Sequence, residues 1–153
     1  MYDLVLAAHS WIRWAVVLLG LAAVVLAIRG ASGRRAWTSA DNKAGLFFVT
    51  ALDIQLLLGL LLYFAFSPYT ALAMDDFGGA MSTSHLRFWA VEHPFGAIIA
   101  LALAHVGRVK IRKTADPARK HRLAAIFFGL ALLAILISIP WPGTPNARPL
   151  FPR

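Results

Sequence analysis

Four long apolar segments, at 4–28, 44–66, 86–109 and 123–139, dominate this chain, and basic residues crowd two of the three connections between them. Each segment is near the ~20 residues that an α-helix needs to cross a bilayer. Strands of a membrane barrel would be ~10 residues long and would alternate in polarity, and these segments do neither. Backbone groups in hydrocarbon must be satisfied within their own segment. The expected fold is therefore all-α: an integral membrane four-helix bundle over 1–140, followed by an extended, Pro-rich tail over 141–153.

Composition agrees with that class. Of 153 residues, 59% are hydrophobic and 14% charged, where a soluble domain carries about 25% charged. The net charge of +8 is concentrated in two stretches. It does not read as the basic face of a nucleic-acid-binding domain. No cysteine is present, which excludes disulfides, thiolate metal sites, iron–sulfur clusters and covalent haem attachment. The start of the chain does not read as a cleaved signal peptide: Asp3 precedes the apolar run, and Arg29, Arg34 and Arg35 follow it.

Charge also sets an expected orientation. Arg29, Arg34, Arg35 and Lys43 lie in the first connection; Arg108, Lys110, Arg112, Lys113, Arg119, Lys120 and Arg122 lie in the third. The opposite side has only Arg87, Arg148 and Arg153. The positive-inside rule places both basic connections in the cytoplasm and both termini outside, as for a multi-pass protein of a bacterial inner membrane. The basic connections also suit anionic headgroups. Asp41 is the expected N-cap of the second helix, and Ser67-Pro68 its expected end. Tyr2, Trp11, Trp14, Phe88, Trp89 and Trp141 suit an aromatic belt on the outer side.

The candidate site residues are the ionisable groups inside the apolar segments, because hydrocarbon tolerates them poorly. At ~1.5 Å per residue, His9 lies roughly 8 Å from the outer end of the first helix and His93 roughly 10 Å from that of the third. Two imidazoles at matched depth can supply both axial ligands of a b-type haem. They can equally be interhelical hydrogen-bonding residues. His105 and His121 on the inner side form a candidate second site, although His105 stands ~120° around the helix from His93. His85 reads as a solvated loop residue near Asp75 and Asp76. Arg13 and Asp53 differ in depth by only ~6 Å and are expected to pair. In the functional alternative, Arg13 binds a haem propionate or a quinone oxygen, while Asp53 or Glu92 relays protons. Glu92 adjoins His93 and can orient a ligand histidine. Gly96, Ala100 and Ala104 mark a close-packing face, within the bundle or between protomers.

The stretches HSWIRW (9–14), TSADNKA (38–44), DIQLLLGLLLYF (53–64), VEHP (91–94), ISIPWP (137–142) and ARPLFPR (147–153) resemble a family of small bacterial four-helix membrane proteins labelled cytochrome b-like. The resemblance covers nearly the whole chain. It implies a haem b held by His9 and His93, with Arg13 and Glu92 beside them, and electron transfer with a quinone or a redox partner. Two other readings stand beside it. One is a non-catalytic accessory subunit, in a homo-oligomer or a larger respiratory or transport complex. The other is a small metal or proton transporter using His9, Asp53, Glu92 and His93.

Overall fold

A computed structural model describes residues 1–151; Pro152 and Arg153, the end of the predicted tail, lie outside the described residues. The described chain is helical, with no strand. Its elements are α1 (Tyr2–Ser32), α2 (Ser39–Leu61), a π-helical turn (Leu62–Phe66), α3 (Pro68–Asp75), α4 (Phe77–Ser82), α5 (Ser84–Arg87), a second π-helical turn (Phe88–Glu92), α6 (His93–Lys113) and α7 (Pro117–Ser138). With the π-turns included, four helical stretches are long and apolar enough to cross a membrane: Tyr2–Ser32, Ser39–Phe66, Ser84–Lys113 and Pro117–Ser138. Each extends beyond the apolar run that announces it, because polar residues at the ends continue the helix.

The four long helices pack in a ring in which α1 touches α2 and α7, and α6 touches α7 and α2. The contact between α2 and α6 is the sparsest of the four. The interior is built from small residues, with Ala23, Ala27, Ala100, Ala104, Ala124 and Ala131 all buried. Phe48 and Phe128 fill its centre edge to face, with ring centroids 5.7 Å apart. Gly20 and Gly45 leave the room those rings occupy. Large apolar side chains point outward instead: Leu18, Leu57, Phe64 and Ile137 are each more than 60% exposed. Apolar faces of this extent are unusual on a soluble monomer and are compatible with contact to lipid. The Gly96, Ala100, Ala104 stripe resolves as a contact within the bundle, because Gly96 faces Ser138 of α7 and both alanines are fully buried.

Local chemistry sets the helix ends. Thr38, rather than Asp41, is the N-cap of α2. Its hydroxyl accepts from the Asp41 backbone N–H, and the Asp41 carboxylate accepts in return from the Thr38 N–H at 2.8 Å. This capping box satisfies two backbone donors at once. Arg35 holds the same carboxylate at 2.9 Å, and that bond raises the pKa of its guanidinium. Asp116 caps α7 through the N–H groups of Ala118 and Arg119.

The connection 67–83, read as a plain loop from the sequence, folds into short helices capped by Ser67 and Asp76. Residues 141–151 of the tail are not extended. They turn through hydrogen bonds from Thr144 N to Trp141 O and from Arg148 N to Pro140 O, then fold back over the end of the bundle that holds Tyr2.

Candidate functional site

Pro94 and the last turn of α7 shape that end. Proline has no N–H, so the carbonyl four residues earlier loses its helical donor. Pro94 frees the Ala90 carbonyl, while those of Leu136 and Ser138 lie in the last turn of α7, which ends at Ser138 and leaves them without helical donors. Each freed oxygen is taken by a side chain. Tyr63 Oη donates to Ala90 O at 2.9 Å, Trp141 Nε1 to Leu136 O at 2.8 Å, and His93 Nδ1 to Ser138 O at 2.8 Å. The Tyr63 bond joins the two π-turns, one ending the α2 stretch and one opening α6. π-turns widen a helix locally and are frequent at functional sites. Here both flank a cavity of about 510 Å³ at the sparse α2–α6 contact.

His9 of α1 and His93 of α6 meet in this cavity, their ring centroids 6.2 Å apart and their planes at 66°. The depth match predicted for them therefore corresponds to proximity. A carbonyl only accepts, so His93 carries its proton on Nδ1 and leaves Nε2 as a free lone pair. That is how metal-binding histidines are commonly oriented. The Gln55 amide nitrogen lies 3.1 Å from His9 Nε2, which therefore accepts and leaves the His9 Nδ1–H without an acceptor. Half a turn of the Gln55 amide would exchange the roles and free Nδ1 instead.

Arg13 also lines the cavity and is buried, but it does not pair with Asp53. Its Nη2 donates to the Leu150 carbonyl of the returning tail at 2.6 Å, beside Trp14 Nε1 at 3.0 Å. The reason is rotation. Depth brings residue 53 near Arg13, but two helical steps are ~200° of turn, and it is Gln55, not Asp53, that faces α1. Asp53 faces α6, where its Oδ1 meets His105 Nε2 at 2.7 Å. His105 and His121 are not brought together. His121 is fully buried at the opposite end, its ring filling the notch at Gly30 and packing against Trp37. Glu92 turns away from the histidines and pairs with Arg87 at 2.7 Å, both half-exposed. His85 is bonded to Asn146 of the tail at 3.2 Å and packs on Tyr69 and Trp89.

Residues not singled out in the sequence complete the site. Arg148 lines the cavity. Its guanidinium lies 4.7 Å from the Trp89 ring centroid and 5.1 Å from that of Tyr69, and Nη2 reaches Tyr2 Oη at 3.2 Å. Gln55 had a signal, an amide within an apolar run; Arg148 had none, because its position depends on the fold of the tail.

Among the described residues, four buried polar atoms without a partner belong to residues of this one cavity: His9 Nδ1, Arg13 Nε, Gln55 Oε1 and Trp89 Nε1. Among the described residues, two arginines and two histidines line it, and no Asp or Glu does. Buried polar atoms are normally satisfied and buried cations normally paired. This arrangement suits a ligand with a broad apolar body and anionic substituents. Among the described residues no group of three or more His, Asp or Glu is placed to hold a metal ion, so metal bound here would rest on the histidine pair alone. The chain matches no family model, no curated protein and no solved structure.

Proposed function

We propose that this chain is a membrane electron-transfer protein of the b-type cytochrome kind, with haem b as the ligand of the His9–His93 cavity. The observation that carries the reading is the cluster of partnerless polar atoms around two converging imidazoles, with two cations and, among the described residues, no Asp or Glu. His93 offers Nε2, and His9 offers the nitrogen that Gln55 does not engage. Arg13 and Arg148 are the cations for the two propionate carboxylates. Bound there, haem supplies a one-electron carrier. The chain's own part is to fix two imidazoles, neutralise carboxylates and surround the ligand with apolar side chains. The partner in this reading is a quinone or a redox protein. The membrane is a bacterial inner membrane, with basic connections in the cytoplasm and both termini outside.

One observation favours a second reading, a non-catalytic subunit of a larger membrane complex. Arg13 and His93 already hold carbonyls of the protein, so both have structural work without a ligand. A reduced-minus-oxidised visible spectrum of the purified protein, expressed with ample haem, separates the two. A b-type band that His9→Ala or His93→Ala abolishes supports the cytochrome. No band would leave the subunit reading in front. For orientation, a cysteine at Ser32 should be inaccessible to a membrane-impermeant thiol reagent in intact cells; labelling from outside would reverse the topology.

A further inference from the structure

Asp53 and His105 lie outside the cavity. They join α2 to α6 through a 2.7 Å hydrogen bond, yet their side chains remain 44% and 48% exposed on the outer face of the bundle. Asp53 lies at the middle of the Ser39–Phe66 stretch, and His105 about 12 Å from the end of α6 at ~1.5 Å per residue. In a bilayer, both would sit among lipid chains, where polar groups are costly and normally face protein or a water-filled cavity. Each lies on a regular outward stripe. On α2 the stripe is Leu46, Thr50, Asp53 and Leu57; on α6 it is Ile98, Ala102, His105 and Val109. Both advance by steps of four, three and four, and all but the half-exposed Asp53 are exposed. Small Thr50 and Ala102 beside the polar pair leave room for another helix to approach closely.

We propose that this α2–α6 seam is the contact surface between two copies of the chain, related by a two-fold axis along the bundle. Such an axis keeps every residue at its own depth and makes the contact self-complementary. The Asp53 carboxylate of one copy then meets the His105 imidazole of the other, and the reverse, without further design. A different protein would need its own acid and base placed at that depth. The inference rests on placement in a bilayer and is independent of whether haem is bound.

The chain has no cysteine, so single cysteines report cleanly. Thr50→Cys and Ala102→Cys, each in the otherwise unchanged chain in native membranes, should give a covalently linked dimer with a short bismaleimide, which spans the diagonal across the two-fold. Leu133→Cys, exposed on α7, should not. Adding Asp53→Ala and His105→Ala should lower the dimer yield by about tenfold or more. The proposal is overturned if neither seam cysteine cross-links, if Leu133→Cys cross-links equally, or if the double alanine change leaves the yield unaltered. The seam cysteines keep the polar pair intact, so that arm does not depend on the double variant folding.

Discussion

Tyr63 and Pro94 form one unit although they stand on different helical stretches. The proline removes the donor of the Ala90 carbonyl, and the tyrosine hydroxyl replaces it. Tyr63→Phe should therefore leave that oxygen unsatisfied and cost about 1–3 kcal/mol, read as a lower unfolding temperature in detergent. In a Pro94→Ala background, which restores an N–H, the same change should cost clearly less. An undiminished cost would show that the hydroxyl acts elsewhere. Gly30 is a second test at this scale. A methyl there would meet the His121 ring directly, so Gly30→Ala should destabilise by about 1–3 kcal/mol as an overpacked contact, while Gly129→Ala, with open space around it, should not. The meeting of His9 and His93 was legible in the sequence because depth along a helix follows from residue count. That Arg13 does not pair with Asp53 was not, because depth does not specify rotation: Gln55 and Asp53 are neighbours in depth on opposite sides of α2.

The long helices were legible as elements, since an apolar run of bilayer length has few alternatives. Their ends were less so. Asp41 was read as a cap, yet it serves as the third residue of a capping box begun by Thr38. Thr38→Ala should cost about 1 kcal/mol. Asp41→Ala should cost more, because it also removes the acceptor of Arg35. Equal costs in thermal unfolding would mean that the Arg35 bond contributes little. The helices between 67 and 87 were not legible because they are too short for apolar periodicity to register. Ser67 and Asp76 start α3 and α4 locally, and packing of Ala73, Ala80 and Ala90 holds the segment.

At the scale of the whole molecule, the bundle has two unlike ends. One is closed by close-packed groups, with His121 sealed between Gly30 and Trp37. The other is opened by two π-turns and Pro94, then covered by the tail. Proline content alone suggests an extended tail. Its actual path depends on contacts with Arg13, Trp14, His85 and Tyr2, which no local pattern encodes. Deleting residues 141–153 should leave the helix content of the four long helices intact, as read by circular dichroism. It should also expose the cavity, raising quenching of Trp89 fluorescence by a water-soluble quencher in a variant whose other tryptophans are replaced by Phe. Unchanged quenching would mean that the tail does not cover the site.

The Arg13–Leu150 bond spans 137 positions, and this bears on the order of events during synthesis. α1 is made with an arginine, buried in the finished bundle, whose acceptor has not yet been made. Until the ribosome has passed residue 150, the first helix carries that guanidinium without its final partner. The cavity is thus completed only after all four long helices have been made, so the earliest helix waits on one of the latest segments for the partner of its buried cation.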